Sequence, residues 1–125
     1  MAIRRQSQTL LVSAARTTAQ TSAPFSAEEV LCSDFVFDVS LDPSTASITP
    51  SIQGQDPVSG DWYTILTGAA VAAVGTTALR VGPTIVAAAN VAANAMLPKL
   101  FRVAVAVADA ESMTYSFSVT HMVDK

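Results

Sequence analysis

The chain has 125 residues, a formal net charge of −3 and a composition that is 50% apolar and only 14% charged. This length fits one domain, and the composition argues against a coiled coil, a collagen-like rod and a generic nucleic-acid-binding protein. The single cysteine, Cys32, rules out an intramolecular disulfide and suits a reducing compartment or a particle that is assembled inside a cell.

Charge divides the sequence into three zones. Residues 1–27 carry three arginines and no acidic residue, residues 28–79 carry seven acidic residues and no lysine or arginine, and residues 80–125 have a net charge of +1. The first zone is rich in Ser, Thr, Ala and Gln and shows little sustained periodicity. It predicts an N-terminal arm over residues 1–29, or an edge strand at 9–14, that lies on its own domain or on a neighbouring chain.

The folded domain is predicted over residues 30–125, where apolar and polar residues begin to alternate. Residues 33–41 and 47–55 each place apolar side chains on one face, which is typical of half-buried strands. Pro50 cannot donate a hydrogen bond to a neighbouring strand, so the second strand is predicted to be an edge strand or to be bulged there. The turn-forming residues that follow predict a hairpin to a strand that starts at Trp62.

The rest of the chain gives patterns of unequal clarity. Residues 69–74 and 76–81 predict two short strands or one kinked strand. The alanine-rich residues 83–98 have helical spacing but are interrupted by asparagine, so they predict a crossing loop with one or two helical turns. Residues 101–108 and 113–123 alternate strictly and are separated by a short acidic turn, so they predict two long strands joined as an antiparallel hairpin.

Together these elements predict an all-β fold, namely an antiparallel β-sandwich of seven or eight short strands, Ig-like or jelly-roll-like, with an extended N-terminal arm. Small alanines on the second face of residues 101–108 predict that another layer or another subunit covers that face. Residues 62–79 and 81–98 are two uncharged stretches with the length of a membrane span. Alanine and threonine drive membrane insertion weakly, so no membrane association is expected.

Few residues offer chemistry. His121 is the only histidine and shares a strand face with apolar residues, so it is predicted to be a half-buried strand residue, and Cys32 is predicted to be a buried thiol. One cysteine and one histidine cannot build a closed zinc site, and the glycines stand singly, without a phosphate-binding loop. No enzyme, cofactor or metal is predicted. Trp62 and Tyr63 leave open a sugar-binding surface, although such aromatic residues are more often core residues.

Several motifs resemble a family of small β-rich structural proteins of tailed bacteriophages. They are IQGQDPVSGDWYTIL at residues 52–66, VGTTALRV at 74–81, the AAN to Asn segment at 88–94, LPKLFRV at 97–103, and the opening SAART at 13–17. Their order and spacing are more distinctive than any single motif. The sequence departs from the family pattern before one proline, where glycine stands in place of the expected aromatic residue.

The resemblance implies a virion structural protein without enzymatic activity, most of all a capsid decoration or cement protein on the outer surface of the capsid, made in the host bacterial cytoplasm. The implied partners are the major capsid protein and further copies of the chain, in a small homo-oligomer such as a trimer, without direct binding of nucleic acid. A tail, connector or head-completion protein and a carbohydrate-binding module of the virion surface are the alternatives.

Charge segregation identifies candidate contact residues for such a role. An arm of one charge beside a segment of the opposite charge can fix the register of a repeating lattice, because the arm of one copy lies on the acidic segment of its neighbour or of the shell. The predicted contacts are Arg4, Arg5 and Arg16 in the arm, with Asp34 and Asp38 as their partners.

Overall fold

The computed structural model describes residues 2–41, 47–108 and 112–124. This part of the chain contains ten β-strands and no helix, which confirms the predicted all-β class. The number of strands exceeds the predicted seven or eight because three of them, β2, β3 and β8, are only two or three residues long. The strands are β1 (Ile3–Arg16), β2 (Gln20–Thr21), β3 (Phe25–Ser26), β4 (Val30–Leu41), β5 (Ile48–Gln55), β6 (Trp62–Thr67), β7 (Gly75–Gly82), β8 (Ala92–Asn94), β9 (Leu100–Val107) and β10 (Met113–Asp124).

The strands form two sheets. Sheet A has the order β1-β10-β4-β7-β8, and sheet B has the order β2-β9-β5-β6 with β3 also paired to β9. Within the described ranges every strand pair is antiparallel except β7 with β8. The two sheets are therefore mostly antiparallel, as predicted.

The N-terminal segment contributes to both sheets. β1 pairs with β10 from Ile3 opposite Asp124 to Arg16 opposite Met113, while β2 and β3 pair with β9 in sheet B. The alternative of an edge strand at residues 9–14 is confirmed, and the strand extends well beyond both ends of that range. Its first seven residues are exposed on both faces, so the sequence there carries no alternating pattern.

The core lies between the two sheets. Phe35 and Phe37 of β4 and Phe101 of β9 are fully buried, and the rings of Phe35 and Phe101 meet edge to face at 5.9 Å across the sheets. β10 buries every second residue from Met113 to Val123. Each large apolar side chain removed from water in this way contributes about 1.5–3 kcal/mol to the free energy of unfolding.

The predicted C-terminal hairpin is wrong, although both of its strands exist. β9 belongs to sheet B and β10 to sheet A, so the chain crosses between the sheets after β9. Residues 109–111 of the predicted turn lie outside the described residues. Alternation cannot separate the two arrangements, because strands on opposite sides of one core bury every second residue just as paired strands do.

The prediction for Pro50 is also wrong, while the hairpin that follows it is confirmed. β5 is an interior strand between β9 and β6, and its bulge lies between Ile52 and Gln53. The Pro50 carbonyl accepts a hydrogen bond of 2.8 Å from the Gly68 N–H. Because the N and the C=O of one strand residue face the same side, the nitrogen of Pro50 points just beyond the end of β6, where no ladder hydrogen bond is required.

The alanine-rich part of the chain follows the predictions only in part. Residues 76–81 lie within β7, as predicted, but residues 69–74 contain only an isolated bridge from Val71 to Ile48. Residues 83–98 contain no helical turn and instead supply β8, which pairs in parallel with β7. Pairing with an existing sheet edge outweighs the helical preference of alanine here. The turn predicted after β4, at 42–44, lies outside the described residues.

Candidate functional site

A groove on the outer face of sheet A contains two of the predicted contact residues. Arg5 of β1 and Asp34 of β4 both line it, because the strand register places Arg5 beside Met122 and Asp34 beside Thr120. The groove has a volume of about 400 Å³. Its lining consists of Arg5, Cys32, Ser33, Asp34, Arg80, Ile85, Thr120 and Met122. With two arginines and one aspartate, it carries a net charge of +1.

Asp34 already has a cationic neighbour in its own chain. The Arg80 Nε lies 3.7 Å from the Asp34 Oδ1, and both side chains are about half exposed. An ion pair with this exposure contributes about 0–1 kcal/mol. The Oδ1 atom accepts no hydrogen bond from the described residues. This Oδ1 is itself buried, so Asp34 is weakly held within the chain and another molecule would have to contact the exposed remainder of its side chain.

The other predicted contact residues lie elsewhere. The Arg16 guanidinium donates to the carbonyls of Tyr115, at 2.9 Å, and Val12, at 2.6 Å, and covers the Tyr115 ring at 4.7 Å. These bonds fix the end of β1 within the molecule. Asp38 accepts a hydrogen bond of 2.7 Å from the Thr76 hydroxyl on the neighbouring strand. Arg4 is exposed and lies on the opposite face of β1 from Arg5.

His121 lies in the core, deeper than the half-buried position predicted for it. Its Nδ1 is 2.7 Å from the Ser33 Oγ, and both residues are buried. The ring packs edge to face against Phe35 and Phe101, and the Nε2 has no hydrogen-bond partner within the described ranges. Burial lowers the pKa of His121, because the charged ring would be poorly solvated. The Ser–His pair is thus closed to solvent by burial, although Ser33 also contributes to the lining of the groove on sheet A.

The two neighbouring aromatic residues of β6 face opposite sides of sheet B. Trp62 lies opposite Gln55 on the outer face, where the Arg102 guanidinium covers its ring at 4.3 Å. The Arg102 Nε also donates to the Gln53 Oε1 at 2.7 Å. Tyr63 lies opposite Gly54 and is half exposed. The two rings cannot stack on one sugar, and Trp62 is an outer-face residue, not the core residue favoured by the sequence.

Sequence reasoning missed an exposed apolar surface near the β7 edge of sheet A. We define the alanine groove as the cleft lined by residues 69–78 and 89–91, which has a volume of about 500 Å³ and no charged residue in its lining. Val74 on its rim is 63% exposed. In the adjoining connection Val86 is 87% exposed and Met96 is 78% exposed. The only sequence signal for this surface is the absence of charged residues from 62–79 and from 81–98, which is equally typical of a membrane segment.

The hairpin loop between β5 and β6 contains several hydrogen bonds of its own. The Asp56 carboxylate accepts hydrogen bonds from the backbone N–H groups of Val58, at 2.9 Å, and Ser59, at 3.4 Å. These bonds hold the pKa of Asp56 below its usual value. Gly60 takes a positive φ of 81°, which glycine adopts without strain. Val58 projects from the tip and is 94% exposed.

Within residues 2–41, 47–108 and 112–124, no three His, Cys, Asp or Glu side chains lie close enough together to hold a metal ion. The same ranges include no helix with the length and apolar character needed to cross a membrane. Comparison of the chain with protein-family models, with curated proteins and with solved structures gave no match in any of the three.

Proposed function

We propose that this chain is a non-enzymatic structural protein of a tailed-bacteriophage virion, and that it decorates the capsid by binding the major capsid protein as a small homo-oligomer. The sequence resemblance suggests the class of protein. The observation that carries the proposal is the alanine groove, because it is the part of the described surface best suited to close contact with another protein.

The composition of the groove supports a protein partner. Its lining is dominated by Ala, Val and Thr, and small side chains allow two backbones to approach closely. A surface that stays in water more often carries Lys or Glu, whereas a contiguous exposed apolar patch usually marks an interaction site. Each copy needs only a weak contact, because many copies repeated over a shell stabilise it together.

The chain topology gives secondary support. We assign the two packed sheets to the jelly-roll type of β-sandwich, since β4 and β5 lie in different sheets, as do β9 and β10, and the pairs β4–β10 and β5–β9 are nested. Viral capsid domains and lectins both use this type. A shared fold does not define a function, so the topology is consistent with a virion role and does not select it.

The predicted charged contacts are refined in this proposal. Arg4 and Arg5 remain candidates for an acidic partner because both are exposed, and Asp34 remains a candidate for a basic partner. Arg16 and Asp38 are left out, because the hydrogen bonds of their own chain occupy them.

The proposal is tested with phage particles that lack this protein. The purified chain is added back, and the bound copies and the heating temperature at which DNA is released are measured. We expect saturable binding over the shell and a higher release temperature. Val74→Asp places a charge on the rim of the alanine groove and should abolish binding. Val58→Asp, an exposed valine on the hairpin tip, is the matched control and should bind normally.

Two results would overturn the proposal. Particles that release DNA at the same temperature with and without the chain would exclude a cementing role. Copies confined to a single ring at the neck or tail, seen as density in intact particles, would identify a tail, connector or head-completion protein instead.

A further inference from the structure

The outer edge of β1 offers unpaired backbone groups. β1 is the terminal strand of sheet A and pairs only with β10 within the described residues. Its N–H and C=O groups that point away from β10 are therefore free to bond another strand. We call residues 3–9 of β1 the free edge, because their register with β10 is unbroken, whereas bulges interrupt the pairing after Thr9.

The free edge has few of the features that usually prevent edge-to-edge pairing. It is seven residues long, regular, and free of proline and lysine. Bulges, which twist an edge away from a partner, begin only beyond Thr9. Arg4 and Arg5 are its only charged residues, and both stand near one end. A regular edge of this kind serves as a template for another strand.

The faces of the free edge are also open. All residues from Ile3 to Thr9 are exposed, including those on the face that points toward sheet B. In contrast, the β10 residues beside that face are buried. Sheet B thus does not cover this part of β1. The side chains of the free edge are exposed on both faces of sheet A, so an added strand could lie beside them. The β10 residues concerned are Val119, His121 and Val123.

We propose that the free edge pairs antiparallel with the free edge of a second copy, about a twofold axis at Gln6, so that sheet A continues from one copy into the other. An isologous contact of this kind covers both unpaired edges at once. It does not depend on the alanine groove and holds whether or not the chain decorates a capsid.

The sequence of the edge fits this register. Pairing that uses all seven regular residues is centred on Gln6 and places Arg4 opposite Gln8 and Arg5 opposite Ser7 of the other copy. Directly opposed side chains interact most strongly, and like charges there are unfavourable. In this register each arginine meets a neutral hydrogen-bonding side chain. A register centred on Leu10 would instead oppose Arg4 to Arg16 and would have to cross the bulges.

The first experiment measures the monomer–dimer equilibrium of the full chain by sedimentation equilibrium over a series of concentrations. Because the contact is small, we expect a weak dimer that dissociates on dilution. Gln6→Lys sets two positive charges opposite each other at the axis and should raise the dissociation constant about two- to fivefold. Thr67→Lys adds the same charge to the exposed edge strand of sheet B and should leave it unchanged.

The second experiment tests the register by disulfide cross-linking in a Cys32→Ser background. Directly opposed residues bring their Cβ atoms close to the distance that a disulfide spans. Gln6→Cys should therefore cross-link with itself, and Ser7→Cys should cross-link with Arg5→Cys but poorly with itself. All three positions are exposed, so the variants should fold normally. Circular dichroism of each variant checks that they do.

Three results would overturn the inference. A chain that stays monomeric at every concentration does not pair through its free edge. The unpaired backbone groups of that edge would then be available only to a strand of another protein. A dimer that is insensitive to Gln6→Lys uses another surface. Efficient self-cross-linking of Ser7→Cys, without that of Gln6→Cys, would exclude the register at Gln6.

Discussion

The core strands β4, β9 and β10 and the segment 68–98 are both rich in apolar residues, yet the fold uses them differently. The core strands bury Phe, Tyr, Met and Val at every second position. Within the segment 68–98, β7 buries Leu79 and Val81 in the core. The connections on either side of β7 expose Val74, Val86 and Met96, and the alanines of the segment line an open groove. Apolar content alone thus does not identify a core. A core strand is identified by large apolar side chains that recur at every second position.

The sharpest test of this comparison is the loss of one large side chain from each region. Phe35→Ala should lower the free energy of unfolding by about 3–5 kcal/mol, because a fully buried ring leaves a cavity between the sheets. Val86→Ala should change it by less than about 0.5 kcal/mol, since Val86 is 87% exposed. Urea denaturation of both variants measures the difference. A similar loss in both would mean that Val86 is buried in solution, as in an oligomer.

The strands of the core could be predicted from the sequence, whereas their partners could not. Phe35 and Phe37, or Met113 and Tyr115, define a strand and its buried face by their spacing. Which sheet each strand joins depends on contacts between distant residues, and for this reason the sequence wrongly predicts that β9 and β10 pair with each other. Alternation is the same for a strand that faces its neighbour and for one that faces the opposite sheet.

The candidate site was predictable only as separate residues. The sequence identified Arg5 and Asp34 by charge, and the strand register alone brings them to one groove. It could not indicate that hydrogen bonds to backbone carbonyls hold Arg16. The alanine groove escaped prediction because alanine is common both in cores and on surfaces, and no spacing separates the two.

A second prediction concerns the contact between Pro98, at the end of the connection 83–98, and Gly54 of β5. A Cβ at Gly54 would lie 2.5 Å from the Pro98 Cγ and 3.0 Å from the Tyr63 ring. Gly54→Ala should therefore lower the free energy of unfolding by about 1–3 kcal/mol through overpacking. Pro98→Ala, combined with it, should recover part of that loss. A double-mutant cycle measures the coupling, and purely additive effects would mean that the two residues do not touch.

A third prediction uses the buried histidine of the core. Burial lowers the pKa of His121 below its usual 6.5, so in the window between the two values the unfolded chain binds more protons than the folded one. Stability must then fall as the pH drops below about 6.5, with a slope of at most about 1.4 kcal/mol per pH unit. The fall ends below the folded-state pKa of His121.

Two variants isolate this effect in urea denaturation between pH 7 and pH 5. Ser33→Ala keeps the histidine and should keep the slope. Ser33→Ala combined with His121→Phe removes the titrating ring while filling its space, and should flatten the curve. Since all carboxylates are common to the two variants, the difference between their curves belongs to His121. Equal slopes would show that other groups cause the pH dependence.

A much smaller effect than that of Phe35→Ala is expected one residue away from it, at Asp34. Asp34 precedes Phe35 on β4 but points to the outer face, where it pairs with Arg80 at 3.7 Å. Asp34→Asn should lower the free energy of unfolding by about 0–1 kcal/mol, because both partners are partly solvated, and the difference should shrink at high salt as the charges are screened. Urea denaturation at two salt concentrations measures it, with Asp38→Asn as a charge-matched control. A loss as large as that of Phe35→Ala, and independent of salt, would mean that Asp34 lies in a dry contact. In that case the outer face of β4, which carries Asp34, would be as well buried as the core face, which carries Phe35.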